Sequence, residues 1–204
     1  MLRSISIDYL QRAFQGKDAA TTFIYCNHKE HAKHTVRELI ASILKQLVQG
    51  HPVISEWAMS LYNKHYSKAT YPSLEELTEA LRMEVGRYPR VFVIVDALDE
   101  LDERHRIRLI KVIQSLSNTV NLMVTSRPLP PIEAIPRGAK SMRISASAHD
   151  VRLYIEHRIQ QEDRLMLFAG QRGDLQQSIV DKISGNVQGM FVYSFYHDAL
   201  FVCI

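Results

Sequence analysis

Short apolar runs alternate along the chain with longer stretches in which apolar residues recur every three or four positions. Residues 20–26 (Ala-Thr-Thr-Phe-Ile-Tyr-Cys), 91–95 (Val-Phe-Val-Ile-Val), 121–125 (Asn-Leu-Met-Val-Thr) and 141–145 (Ser-Met-Arg-Ile-Ser) are the strand candidates. The 91–95 run leaves no polar face, the pattern of a strand buried on both sides of a parallel sheet. Helical spacing appears over 1–14, and over 33–49 with Val36, Leu39, Ile40, Ile43, Leu44 and Leu47 on one side before Gly50-His51-Pro52. Ser73 and Glu76 form a capping-box pair that opens a helix through Val85, with Gly86 as its stop. Residues 102–116 predict another helix, with Ile107, Leu109, Ile110 and Ile113 inward and Arg104, Arg106, Arg108 and Lys111 outward.

Strands alternating with helices predict an α/β fold with a parallel, doubly wound sheet. The insert over 50–89 has room for two helices. From about Ser147 the strand pattern stops, and 147–160 and 175–183 read as helices. A core over 1–146 and the start of a helical subdomain over 147–204 are therefore expected. No internal repeat or low-complexity tract is visible.

Composition narrows this picture. The 204 residues are 46% hydrophobic and 23% charged, enough for one domain or one domain and part of another. A net charge of +3, with no basic cluster interleaved with aromatics, argues against a nucleic-acid partner. The apolar stretch from Met190 to Ile204 is interrupted by His197 and Asp198 and falls short of the roughly twenty residues that a membrane span needs. Charges at Arg3 and Asp8 come too early for a signal peptide, and two distant cysteines, Cys26 and Cys203, suggest a reducing compartment. A cytoplasmic protein with no membrane partner is the expectation.

The chemistry concentrates where the strands end. The 91–95 run stops on Asp96, with Asp99 and Glu100 just beyond, and α/β folds bind ligands at the carboxyl ends of their strands. A carboxylate there is placed to hold hydrated Mg²⁺ on a nucleotide. The same acids also suit the first turn of an ordinary helix. The 121–125 run ends in two hydroxyls, Thr125 and Ser126, and then Arg127. If the two strands are neighbours, Arg127 emerges beside the acids. There it can sense a terminal phosphate, or simply offset buried acid.

Several blocks occur in a telling order. They are Phe-Ile-Tyr-Cys-Asn-His-Lys-Glu (23–30), Ser-Ile-Leu-Lys-Gln-Leu (42–47), Pro-Ser-Leu-Glu-Glu-Leu (72–77), Val-Phe-Val-Ile-Val-Asp-Ala-Leu-Asp-Glu (91–100), Val-Thr-Ser-Arg-Pro (124–128), Ile-Ser-Ala-Ser (144–147) and Gln-Gly-Met-Phe (188–191). Together they resemble the NACHT-type signal-transducing P-loop NTPases, in particular the nephrocystin-like class abundant in filamentous fungi. The resemblance implies a nucleotide-binding core followed by a helical subdomain, often with ankyrin, WD40 or tetratricopeptide repeats. By position it implies that Asp96 is the Walker B carboxylate orienting Mg²⁺. Asp99 and Glu100 become the additional acids, one of which positions attacking water, and Arg127 the arginine of the first sensor strand. It further implies Mg-ATP or Mg-GTP as cofactor, and protein partners or self-association.

One departure is large. Nothing matches Gly-x-x-x-x-Gly-Lys-[Ser/Thr], since the only Gly-Lys pair, Gly16-Lys17, is followed by Asp18. Residues 1–10 resemble the helix that follows the phosphate loop, so the chain is read as truncated at both ends. The family's strand order, 5-1-4-3-2, then predicts a lost strand between the 121–125 and 141–145 strands. Weak or absent nucleotide binding is the expectation, and a non-catalytic remnant acting through protein contacts is the alternative.

Other features carry competing readings. Cys26, His28, His31 and His34 offer zinc-ligand types, but their spacing matches no common site. Trp57, Tyr62 and Tyr66 are expected to pack the insert, with a nucleobase platform as the sharper idea. The apolar C-terminal segment is expected to start a helix.

Overall fold

Each apolar run of the sequence becomes a strand, and each periodic stretch a helix. The structure, a computed structural model, describes residues 2–14, 19–27, 35–127, 139–144, 147–167, 173–186 and 199–203. Helix α1 (Leu2–Ala13) leads to strand β1 (Ala19–Tyr25), then α2 (Val36–Gly50), α3 (Glu56–Tyr66), α4 (Leu74–Val85) and β2 (Arg90–Asp96). A short 3₁₀ turn (Leu98–Glu100) precedes α5 (Glu103–Gln114), β3 (Val120–Val124) and β4 (Lys140–Ile144). Helices α6 (Ala148–Gln161) and α8 (Gly173–Asn186), with the single turn α7 (Asp163–Leu165) between them, precede strand β5 (Ala199–Cys203).

Chain contacts divide the molecule into two units, Met1–Met142 with Leu200–Ile204, and Arg143–Ala199. In the first, β1, β2 and β3 run parallel, with Ile24 opposite Val95 and Val95 opposite Val124. This three-strand parallel sheet is compatible with a Rossmann-like core. Alternation of side chains sorts its residues between two faces. One face carries Ile24, Val91, Val93, Val95, Leu122 and Val124, buried against Ile40, Ile43 and Leu47 of α2, Leu81 and Val85 of α4 and Leu109, Ile110 and Ile113 of α5. On the other, α1 packs over β1 and β2, and Phe14 meets Phe92 at 4.8 Å between ring centroids. The free edge of β1 is covered by the Gln46 side chain, which accepts from the Phe23 N–H at 2.9 Å and donates to its carbonyl at 2.8 Å. That blocks edge-to-edge pairing there.

The helix starts follow local chemistry. Thr35 with Glu38, Ser73 with Glu76 and Ser147 with Asp150 form reciprocal capping boxes. Gly86 ends α4 as expected, but in right-handed backbone, so a left-handed turn is not why glycine stands there. Behind α4 lies a buried ionic group. The fully buried Glu84 accepts from the Ser55 hydroxyl and from Arg87 Nη1 at 3.0 Å. Arg87 Nη2 also reaches His51 Nδ1 at 2.8 Å and the Val53 carbonyl at 2.9 Å. Two of the expected burial assignments on α5 differ. Ile107 is only half-buried, and Arg106 turns its Nε into the protein, where that atom has no hydrogen-bond partner.

Strand β5 departs from the expected helical ending. The sheet order is β1-β2-β3-β5-β4, so β5 occupies the position between β3 and β4 at which the resemblance predicts a lost strand. It runs antiparallel to β3, pairing Met123 with Cys203 and Val124 with Val202. Strand preference depends on context, and the edge of β3 offers an apolar segment backbone partners that its sequence alone does not announce. In the second unit, Val151, Ile155 and Ile159 of α6 pack on Val180 of α8, and Arg152 pairs with Asp181 at 2.7 Å. No helix among the described residues is long and apolar enough to cross a membrane.

Candidate functional site

The parallel register brings the ends of β1, β2 and β3 to one edge of the sheet. Tyr25 lies opposite Asp96, and the Cys26 N–H donates to the Asp96 carbonyl at 3.0 Å. The Thr125 N–H donates to the Val95 carbonyl, and the Leu98 N–H to the Thr125 carbonyl, both at 2.9 Å. Two short segments, 95–100 and 124–127, are thus laced together at the point where α/β folds bind ligands.

Asp96 ends β2 with its carboxylate held in place. The buried Thr125 hydroxyl donates to Asp96 Oδ1 at 2.6 Å and accepts from the Ala97 N–H at 3.0 Å. Ala97 has φ 57° and ψ 49°, a left-handed conformation that costs a residue with a Cβ roughly 1–2 kcal/mol. This kink turns the chain sharply off the strand and starts the 3₁₀ turn that carries Asp99 and Glu100. Thr125 supports both the carboxylate and the kink.

Arg127 is the second anchor. Its backbone N–H donates to Asp99 Oδ1 at 3.0 Å, its Nε to Asp99 Oδ2 at 2.6 Å and its Nη2 to Glu100 Oε1 at 3.3 Å. The Asp99 side chain is 3% exposed and that of Arg127 is 54% exposed, so the arginine covers the acid. Burial pushes the Asp99 carboxyl up. The Arg127 N–H and guanidinium outweigh that effect, leaving it below the ordinary carboxylate range. The same pairing raises Arg127. Behind the acids, burial and then the fields of Asp96, Asp99 and Glu100 push the Cys26 thiol up to about 12, which keeps it protonated and unreactive.

The structure therefore brings Asp99, Glu100 and Arg127 into direct contact and ties Asp96 to the same segment through Thr125. The sequence marked Thr125 as a hydroxyl at the end of a strand without giving it a role. Ala97 carried no sequence signal, because alanine does not announce a positive φ. Trp57, Tyr62 and Tyr66 do not pack the insert: they are 59%, 57% and 74% exposed. Helix α4 covers the core in their place. His28, His31 and His34 lie outside the described residues, as does the Gly16-Lys17 pair.

The donor set at the site is one carboxylate backed by a hydroxyl, with two further acids committed to an arginine. Such a set suits Mg²⁺ held through water and phosphate oxygens, as it contains too few oxygens for a dedicated protein cage. Among the described residues no group of three His, Cys, Asp or Glu side chains is arranged to hold a metal ion alone.

Compared with models of known families, residues 1–127 match the family described as nephrocystin 3, N-terminal. No curated protein and no solved structure matches the chain.

Proposed function

This chain belongs to the nephrocystin 3 N-terminal family, and we propose that it is a partial nucleotide-binding domain of NACHT-type P-loop character, the metal-side half of an ATP or GTP site. One observation carries the reading: a carboxylate at the end of the central parallel strand, fixed by Thr125 at 2.6 Å, stands beside an arginine that already engages acids. On this reading Asp96 holds Mg²⁺ through water, and the ion would neutralise phosphate charge when bound. Asp99 has both oxygens committed to Arg127, so it positions the arginine, and the task of orienting water falls to Glu100. Arg127, half-exposed, faces the phosphate side.

Affinity is expected to be weak. The sequence contains no Gly-x-x-x-x-Gly-Lys-[Ser/Thr] motif to wrap phosphates with backbone N–H groups. Isothermal titration of the chain with Mg-ATP and Mg-GTP tests the proposal. Binding in the millimolar range that is lost in Asp96→Ala supports it, and no heat from either nucleotide at millimolar concentration sinks it.

A second reading is a non-catalytic interaction module. The closure of Arg127 over Asp99, which already satisfies the arginine, favours it. Here Asp96→Ala leaves partner binding intact.

A further inference from the structure

The free edge of β1 carries its own example of what it binds. The Cys26 N–H donates to the Asp96 carbonyl on β2, and backbone direction alternates along a strand. Even-numbered residues of β1 therefore bond to β2, while Ala19, Thr21, Phe23 and Tyr25 turn their N–H and carbonyl groups outward. At Phe23 both outward groups are taken by one primary carboxamide. Gln46 Oε1 accepts from the Phe23 N–H at 2.9 Å, and Gln46 Nε2 donates to the Phe23 carbonyl at 2.8 Å. Thr21, two residues earlier, turns the same pair outward, and among the described residues neither group has a partner there.

Thr21 lines a cavity of about 620 Å³, within the size range of small-molecule sites. The cavity lies at the start of β1, at the other end of the strand from Tyr25 and Asp96. Phe14, just past α1, and Tyr88, just before β2, give it aromatic walls. Both are anchored in advance. The Phe14 ring meets Phe92 at 4.8 Å between centroids, and the Tyr88 hydroxyl donates to the Leu47 carbonyl at 2.8 Å. Arg87 also lines the cavity, but its guanidinium is engaged by Glu84, His51 and the Val53 carbonyl. The unmet requirement is therefore not a charge but one acceptor and one donor side by side, opposite Thr21.

We propose that this cavity binds a small planar molecule carrying a primary carboxamide on an aromatic ring. The amide oxygen accepts from the Thr21 N–H and the amide nitrogen donates to the Thr21 carbonyl, repeating the contact that Gln46 makes at Phe23. The ring packs against Phe14 and Tyr88. Gln46 closes the edge beyond Thr21, so the site accommodates a single amide group and not a continuous added strand. It is separate from Asp96 and does not depend on nucleotide binding.

Proton–nitrogen correlation spectra of the labelled full chain, titrated with benzamide at millimolar concentration, test this. The Thr21 amide resonance is expected to shift saturably, and the Phe23 amide, already held by Gln46, to shift less. Benzoate puts a second acceptor where the donor stood and sets it against the Thr21 carbonyl. N,N-dimethylbenzamide keeps the acceptor and loses the donor. Each is expected to bind at least roughly tenfold more weakly than benzamide, because the Thr21 carbonyl is left unpaired. Gly50 lines the same cavity, and a Cβ there meets only the Tyr88 hydroxyl, at 3.5 Å, an ordinary contact. Gly50→Leu thus fits the fold, which the dispersion of its spectrum checks, and by filling the space it abolishes the benzamide shift. No saturable Thr21 shift with benzamide, benzoate or the dimethyl amide binding as tightly as benzamide, or undiminished binding in Gly50→Leu overturns the proposal.

Discussion

Replacing Thr125 by valine keeps the shape of the side chain and removes its hydroxyl. That hydroxyl makes two bonds in a buried position, one to Asp96 Oδ1 at 2.6 Å and one from the Ala97 N–H at 3.0 Å. The first is a bond to a charged acceptor, worth about 1.5–3 kcal/mol. Loss of the second strands the N–H of a residue in left-handed backbone, a penalty of about 1–3 kcal/mol. Because Asp96 is only half-buried, water recovers part of both contributions, and the expected loss is about 2–4 kcal/mol. Thr125→Ser keeps both bonds and removes one methyl group, so it costs only about 1 kcal/mol. Urea unfolding followed by circular dichroism, extrapolated linearly at constant slope, measures both. If the valine variant lies within about 0.5 kcal/mol of the parent chain, the hydroxyl does not hold the site together. If serine is as damaging as valine, methyl packing is the cause and the account of Asp96 fails.

Three further outcomes are expected. Asp99→Asn lowers stability by about 1 kcal/mol at neutral pH, a value discounted for the exposure of Arg127. Because the folded carboxyl lies below its ordinary range, its contribution is complete above about pH 4 and fades as pH falls through the depressed folded value. The gap between parent and variant should therefore close in acid, and a constant gap contradicts the clamp. Cys26, pushed up to about 12, should resist iodoacetamide at mildly alkaline pH in the folded chain and react in urea, as followed by peptide mapping. Its folded value is raised, so the neutral thiol favours the fold, and this contribution is lost as pH rises beyond the ordinary thiol value towards 12. Arg87→Met leaves the fully buried Glu84 carboxylate without its cation and should cost about 3–5 kcal/mol, whereas Glu84→Gln with Arg87→Met recovers part of that loss.

The sheet and most helices were legible because one kind of burial decides them. Val91, Val93 and Val95 face a helical layer and Ile94 faces the other side, so the run has no polar residue to betray a free face. Helix α2 begins and ends close to where its spacing says, and its six expected core residues are all buried. Ser73 and Glu76 set the start of α4 by a local reciprocal bond that needs no tertiary information. What was not legible depended on partners far along the chain. The apolar tail is compatible with helix or strand until the bare edge of β3 is present to choose. Trp57 and Tyr66 look like core by type, but their exposure depends on which helix covers the sheet. At the site, the acids and Arg127 could be marked from sequence, while the clamp from Thr125 to Asp96 depended on strand register.

The position of β5 also makes completion of the sheet a matter of timing. Val124 and Val202 are neighbours in the sheet but roughly eighty residues apart along the chain, so their pairing closes a long loop and comes late. At ribosomal rates of about 5–20 residues per second, several seconds separate the synthesis of β3 from that of β5. Through that interval Leu122, Met123 and Val124 form an apolar strand with one side unpaired, able to capture an edge from another nascent chain. Slower translation of the segment between these strands would lengthen that exposure, a dependence on synthesis that no folded contact records.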